Sequence, residues 1–201
     1  MISVFQIIIL IFSAVIHEYM HGWTADRLGD PTAKAAGRLT LNPLAHLEWF
    51  GSLLLPGMML LSGMPFVFGW AKPVPYNPYN LRDQRWGGAK VALAGPAANF
   101  IVAVFFGLVL RFMPFFSPSF SYLIGSIIYI NLILMIFNLL PIPPLDGSKI
   151  IAPFLSPAWQ EKYLSLERFG FIFVILFAWL AFSYLLPVVD FLFLVLTGHL
   201  S

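Results

Sequence analysis

The chain has 201 residues, of which 60% are hydrophobic and only 10% are charged, whereas a soluble domain carries about 25% charged residues. This composition excludes an ordinary soluble fold and predicts a single integral membrane domain over residues 1–201. A net charge of +2 gives no basis for binding nucleic acid, and the absence of cysteine excludes disulfides and thiolate metal sites.

Apolar runs of membrane-spanning length dominate the sequence. A span needs about 20 apolar residues. Three runs of about this length predict spans, at about residues 2–22, 91–110 and 122–140. The last apolar run predicts a span at about 169–186, followed by a broken or interfacial tail that contains Pro187 and Asp190. The predicted fold class is an all-α polytopic membrane protein.

Two other parts of the chain differ from simple spans. The run at about 47–68 contains prolines and glycines, and irregular backbone at membrane depth is tolerated only where protein or water covers it. We therefore predict a re-entrant or hairpin segment there. "GRLTLNP" (37–43) and "WAKPVPYNP" (70–78) alternate like strands, and Pro73 and Pro75 confine the second to a sheet edge. These two pieces predict a small membrane-associated β element.

The distribution of positive charge bears on the topology. If the interrupted run at 47–68 crosses an even number of times, ten of the eleven Lys and Arg residues lie on one side of the membrane, with Arg111 as the exception. The positive-inside rule makes that side the cytoplasm. A single crossing would split the charges between the two sides. The charge pattern thus favours an even number of crossings and a multi-pass location in the cell membrane.

The first span ends in the pattern "HEYMH" at residues 17–21. Residues four apart lie on one face of a helix, so His17 and His21 can bind one metal ion together. H-E-x-x-H on a helix is the zinc-protease arrangement, in which the glutamate, here Glu18, is the general base. Ionisable residues within a span are costly and usually functional. A polar helix end at the membrane surface is the alternative interpretation.

A catalytic zinc needs a third protein ligand and an open position for water. In "FNLLPIPPLDGSK" (137–149), three prolines precede Asp146 and break the helix, so the aspartate is presented on non-helical backbone. For Asp146 to reach the end of the first span that carries the histidines, the intervening chain must cross an even number of times. This agrees with the charge pattern and makes Asp146 the predicted third ligand.

Together these motifs resemble a known family. "HEYMH", "GPAAN" (95–99) and "NLLPIPPLDG" (138–147) are similar to the three motifs of the site-2 protease family of intramembrane zinc metalloproteases. The stretches "GRLTLNPLAH" and "WAKPVPYNP" are similar to its short prokaryotic branch, which lacks PDZ and CBS domains. The resemblance covers roughly residues 10 to 150.

The resemblance implies one zinc ion per chain, held by His17, His21 and Asp146, with Glu18 as the base. It implies that the first three predicted spans form a three-helix catalytic core and that the remaining spans are accessory. It also implies an active site buried in the membrane near the cytoplasmic face.

Three more polar residues are candidates at this site. Asn99 and Asn138 match motif asparagines that the resemblance implies line the site. Either side chain could donate to a developing oxyanion, or it could only tie helices together; the motif match favours function. His46 could be a further metal contact or a substrate gate, but a local hydrogen-bonding role is favoured.

The predicted function is that of an intramembrane zinc endopeptidase, which hydrolyses peptide bonds within or near the transmembrane segment of single-span membrane proteins in regulated intramembrane proteolysis. The alternative is a catalytically silent zinc-binding scaffold that binds transmembrane helices. The intact Glu18 argues against it, because a scaffold needs no base. A metal-coupled transporter is a third alternative, although transporters usually show internal repeats and none is evident. The predicted partners are the substrate and the lipid bilayer, and the sequence specifies no oligomeric state.

Overall fold

The computed structural model describes residues 4–62, 72–113 and 117–198. Within these ranges the regular elements are all helical, which confirms the predicted all-α class. The α-helices found there are α1 (Val4–Arg27), α2 (Thr32–Ala35), α3 (Leu55–Leu61), α4 (Gly87–Phe112), α5 (Pro118–Asn138), α6 (Asp146–Ile151), α7 (Pro157–Leu164) and α8 (Gly170–Thr197).

Helices α1, α4 and α5 form the centre of the fold. Each is long and apolar enough to cross a membrane, and they coincide with the three spans predicted first. α4 packs against both α1 and α5, and α1 also contacts α5. These three helices confirm the prediction of a membrane protein. Their packing brings together the three sequence motifs at 17–21, 95–99 and 138–147.

A packed apolar cluster holds α8 against α4 and α5. Ile128 and Leu132 of α5 are fully buried and pack with Phe193 of α8. Where α8 crosses α4, a Cβ at Gly107 would lie 2.9 Å from Leu196 Cβ. Small residues allow close helix packing in membranes, where dispersion contacts replace the hydrophobic driving force. The glycine therefore sets how closely α8 approaches α4.

The predicted break near the end of the last span is not found. α8 continues from Gly170 to Thr197 through Pro187. Membrane helices tolerate proline because neighbouring helices and local adjustments accommodate the freed backbone groups. Asp190 also has a partner, since the Tyr129 hydroxyl donates to its Oδ1 at 3.0 Å. The tail is a continuous part of the helical bundle.

The described part of the predicted re-entrant segment at about 47–68 is helical. A π-helical turn, Trp49–Leu54, leads directly into α3. Its thirteen helical residues reach about 20 Å at 1.5 Å per residue, which is short of the hydrocarbon thickness of about 30 Å. This helix alone does not cross a membrane. Residues 63–71 lie outside the described ranges, so the re-entrant path stays a prediction.

The predicted β element is absent from the part of the chain that the structure describes. Residues 72–77, here called the proline segment, have no regular secondary structure. Because Pro73 and Pro75 have no N–H, the segment lacks the donors that a strand ladder needs. At the N-terminal end of the segment, Lys72 N–H donates to His46 O and the Lys72 carbonyl accepts from the Arg38 guanidinium, each at 2.8 Å.

Asp30 fastens the other end of the proline segment to the loop after α1. Its side chain is fully buried, and its carboxylate accepts from Asn77 N–H at 2.6 Å, from Asn80 Nδ2 at 2.8 Å and from Thr32. Burial raises the pKa of Asp30, but the hydrogen bonds from Thr32, Asn80 and Asn77 outweigh burial and hold the pKa below its ordinary value. The ionised carboxylate therefore stabilises this junction.

We expect Asp30 to give the stability a dependence on acidic pH. Its folded pKa lies below the unfolded value of about 3.9, so its stabilisation is fully present above about pH 4 and is lost as pH falls through the folded pKa. The melting temperature of the wild type in detergent should exceed that of Asp30→Asn by a constant amount from about pH 7 to 5, and this excess should shrink below about pH 4. A melting-temperature difference that does not change with pH would contradict the conclusion that the ionised Asp30 carboxylate stabilises this junction.

Candidate metal centre

Two histidines of α1 and an aspartate of α6 converge on one point. His17 and His21 are about one helical turn apart, so their side chains lie on the same face of α1. Asp146 Oδ2 lies 3.0 Å from His17 Nε2 and 3.2 Å from His21 Nε2. Among the described residues, these three side chains form a group whose ligand atoms all lie within 4.8 Å of one another.

Hydrogen bonds on the far side of each ring fix how the histidines present their nitrogens. His17 Nδ1 lies 2.6 Å from Asn99 Oδ1, and His21 Nδ1 lies 2.7 Å from the carbonyl oxygen of Val91. Both partners are acceptors, so each Nδ1 carries the proton and donates it. The Nε2 atoms of both rings then face Asp146 and are the nitrogens available to a metal ion.

Gly95 of α4 leaves the space in which these nitrogens meet. A Cβ at this position would lie 2.5 Å from His21 Nε2 and 2.6 Å from His17 Nε2. Glycine is the residue that permits such close approach of a backbone to a site. The first residue of "GPAAN" therefore has a direct steric reason to be glycine.

The donor set fits zinc. Zn²⁺ in catalytic sites binds His nitrogen and carboxylate oxygen at about 2.0–2.2 Å, through three protein ligands and one open position. Tetrahedral ligand atoms at those distances are about 3.3–3.6 Å apart. The nitrogen–oxygen separations of 3.0 and 3.2 Å approach this spacing. His17, His21 and Asp146 can therefore hold one zinc ion.

A proline-rich turn brings Asp146 to α1. The turn contains a cis peptide bond between Pro143 and Pro144, and it ends at Leu145. The prediction that Asp146 lies on non-helical backbone is wrong, because α6 begins at Asp146 itself. At Gly147, a Cβ would collide with the carbonyl oxygens of the preceding turn, those of Leu139 and Leu140. The "DG" pair thus combines a ligand with the one residue type that lets α6 pack back against the end of α5.

Glu18 follows the first ligand in sequence but lies outside the group of converging ligand atoms. It is partly buried, and its Oε2 accepts a hydrogen bond from the backbone N–H of Val74 at 2.8 Å. The proline segment is therefore in direct contact with the predicted base. The Val74 side chain is buried towards α1.

Asn99 lies behind His17, where it joins a buried network. Its Nδ2 donates to Asn131 Oδ1 at 2.9 Å and to the carbonyl of Ser13 at 3.3 Å. Asn131 Nδ2 in turn donates to Ser13 Oγ at 2.9 Å. Asn99 and Asn131 are fully buried. The structure thus places Asn99 where it orients a histidine, and its amide hydrogens are occupied rather than free for an oxyanion.

Sequence reasoning missed Ser13 and Asn131. The available signal was a lone asparagine within the apolar run "IIYINLILMIF", since polar residues inside a membrane span usually have a partner or a function. The partners of Asn131 are Ser13 of α1 and Asn99 of α4. Because they lie on two other helices, the sequence of the span alone does not reveal them.

We expect Asn131→Leu to lower the zinc affinity by about 10- to 100-fold, because groups that orient a metal-ligating histidine have effects of this size. The substitution removes the acceptor for Asn99 Nδ2 and frees the Asn99 amide to turn away from His17. Competition with a chromophoric chelator measures the affinity. Ser126→Ala is the matched control, since it deletes a hydrogen bond in α5 to Tyr122 O that does not reach the centre. Equal zinc affinity in both variants would contradict the role of the network.

The two remaining candidates are not joined to the ligand group by a hydrogen bond in the described residues. Asn138 Nδ2 donates to Leu134 O within α5 at 2.9 Å, so its role at the site stays a prediction. His46 is buried and its Nε2 donates to Thr40 O at 2.8 Å. This is the local hydrogen-bonding role, and His46 also supports the proline segment through its carbonyl oxygen.

Comparison with known proteins assigns the family. The model of peptidase family M50 matches residues 5–118 and 115–183. YwhC of Bacillus subtilis is 41% identical over 191 residues, which cover 90% of this chain and 84% of that protein. Rip2 of Mycolicibacterium smegmatis is 33% identical over 180 residues (87% and 67%), and MJ0611 of Methanocaldococcus jannaschii is 34% identical over 157 residues (73% and 72%).

All three relatives are provisionally named zinc metalloproteases. No solved structure matches the chain. The family match covers most of the sequence, and the donor set of His17, His21 and Asp146 suits the metal that those names state. The chain belongs to peptidase family M50 and is a zinc metalloprotease.

Proposed function

We propose that this chain is a multi-pass protein of the cell membrane that cleaves other membrane proteins within or near their transmembrane segments, as in regulated intramembrane proteolysis. The observation that carries the proposal is the position of the ligand group on α1, a helix long and apolar enough to cross a membrane. At 1.5 Å per residue, His17 lies about 20 Å from the Val4 end of α1 and about 15 Å from the Arg27 end. Such a position supports chemistry at membrane depth.

The residues of the centre have separate tasks in this proposal. His17, His21 and Asp146 hold the zinc, which when bound polarises the substrate carbonyl and lowers the pKa of water to about 7. Glu18 accepts the proton of the attacking water and delivers it to the leaving amine. Asn99 and the carbonyl of Val91 keep the two imidazoles in the required tautomer.

The proposed substrate is a single-span membrane protein that unwinds locally. In an intact helix each carbonyl accepts a hydrogen bond from the N–H four residues later, and side chains shield it. A buried site can therefore attack only a segment that has left the helical conformation. Helix-destabilising residues near the scissile bond support cleavage, since they lower the cost of unwinding.

The basic residues around the centre support an active site near the cytoplasmic face. Arg27 ends α1 on the side closer to the ligands, Lys34 lies in α2, and Arg38 follows three residues after α2. Lys149 lies one turn after Asp146 on α6. Clusters of Lys and Arg next to spans mark the cytoplasmic side.

Zinc per chain in detergent-purified protein tests the centre. We expect about one zinc in the wild type and a large loss in Asp146→Ala, because a catalytic zinc site has three protein ligands. Asp83→Ala is the control, since that aspartate pairs with Lys90 outside the ligand group. Full zinc in Asp146→Ala would exclude this ligand set, and no zinc in the wild type would contradict the proposed function.

A further inference from the structure

We propose that the backbone N–H of Val74 positions the Glu18 carboxylate, which makes the proline segment part of the apparatus that orients the base. The inference rests on the proposed role of Glu18. Val74 N–H donates to Glu18 Oε2 at 2.8 Å. Hydrogen bonds to an ionised carboxylate are among the stronger ones in proteins, and the partial burial of Glu18 limits competition from water.

The sequence of the proline segment makes the Val74 N–H an isolated backbone donor. Pro73 and Pro75 have no N–H, so Val74 carries the one backbone donor between Lys72 and Tyr76. Backbone donors in irregular segments usually bond to other backbone groups or to water. Here the donor bonds instead to the acid that lies between the two histidines of the motif.

Anchors on both sides hold the donor in place. At the N-terminal side, Lys72 is bonded to His46 O and to the Arg38 guanidinium. At the C-terminal side, Asn77 N–H is bonded to the buried Asp30 carboxylate at 2.6 Å. The segment is thus fixed two residues before Val74 and three residues after it.

Val74 itself is seated against α1. The residue is 6% exposed, and a Cβ at Gly22 would lie 2.8 Å from Val74 Cγ1. Gly22 is one turn beyond Glu18 on α1. The same helix that carries the base therefore provides the groove that orients the residue whose N–H binds it.

This hydrogen bond gives the two oxygens of the Glu18 carboxylate different roles. Oε2 is held by Val74, whereas Oε1 accepts no hydrogen bond from the described residues. A glutamate has three rotatable bonds, and a catalytic group must be held to within about 0.5 Å of its productive position. Fixing one oxygen limits this freedom and leaves the other oxygen for proton transfer.

A double-mutant cycle tests the inference with the hydroxamate of N-acetyl-leucine, a zinc-binding probe whose hydroxyl hydrogen-bonds to the neighbouring base. Val74→Pro removes the N–H, and Val74→Ala removes the side chain but keeps the N–H. We expect Val74→Pro to bind the probe about tenfold or more weakly than Val74→Ala, with zinc content unchanged. In the Glu18→Ala background, the two variants should bind the probe equally, because no carboxylate remains to be positioned.

Two results would overturn the inference: equal affinities for Val74→Pro and Val74→Ala, or the same difference with and without Glu18. If Val74→Pro fails to retain zinc, the ester analogue decides, with α-hydroxyisovaleric acid at position 74 replacing only the N–H by oxygen. Wild-type affinity in that analogue would also overturn it. Absence of zinc from the wild type would contradict the proposed function, whereas equal affinities at full zinc content would contradict this inference alone.

Discussion

Alanine at position 95 is expected to weaken zinc binding strongly and, with it, to lower peptidase activity. Its Cβ would lie 2.5 and 2.6 Å from the Nε2 atoms of His21 and His17. The imidazoles cannot simply rotate away, because Asn99 and the carbonyl of Val91 hold their Nδ1 atoms. Either α4 moves away from α1 or these hydrogen bonds break. We expect the zinc affinity to fall by about 100-fold or more, the upper end of the range for lost histidine orientation.

Gly88→Ala provides the matched control for Gly95→Ala. Gly88 lies two turns earlier on α4, and a Cβ there meets nothing within 4 Å. Because Gly88 lies in the first turn of α4 and an added Cβ meets no neighbour, Gly88→Ala should keep its zinc and melt at an equal or higher temperature. Zinc content by elemental analysis and melting in detergent give both readouts. Full zinc in Gly95→Ala would show that the space next to that residue is not the metal centre.

Glu18→Gln is expected to remove peptidase activity while the zinc is retained. Removal of a general base typically lowers the rate by about 10²- to 10⁴-fold. Zinc should stay bound because Glu18 is not among the three converging ligands. The amide oxygen of glutamine can still accept the Val74 N–H, so the proline segment should keep its place.

Cleavage of a panel of single-span segments, each fused to a reporter, measures the activity of Glu18→Gln. Glu161→Gln on the exposed side of α7 is the control for loss of one carboxylate. Retained cleavage in Glu18→Gln would exclude Glu18 as the base. Zinc binding without any cleavage by the wild type would favour the silent scaffold over the endopeptidase.

Local sequence patterns were sufficient for the helical fold and for naming the ligand candidates. Apolar runs predict the three central helices because the bilayer sets their length. The spacing of His17 and His21 predicts a shared face because helix geometry is fixed by the backbone. The prolines before Asp146 predict an interrupted helix for the same kind of local reason, and the structure shows a turn there.

Contacts between distant segments could not be predicted in this way. The alternation in 37–43 and 70–78 predicted strands, but the lack of N–H groups at Pro73 and Pro75 prevents a ladder, and Asp30 and Glu18 bind the segment instead. The role of Asn131 depends on two other helices that meet it at one depth. Such pairings follow from helix packing, which no single stretch of sequence encodes.

The wide separation of the ligands along the chain has a consequence for biosynthesis. During translation, both histidines leave the ribosome early on α1, but the third ligand is residue 146 of 201. Until α6 has been made and has docked against α4, a nascent chain holds only two of the three ligands. A nascent chain that has inserted only its first helices is therefore still an incomplete protease, and the metal centre forms only after most of the chain has been made.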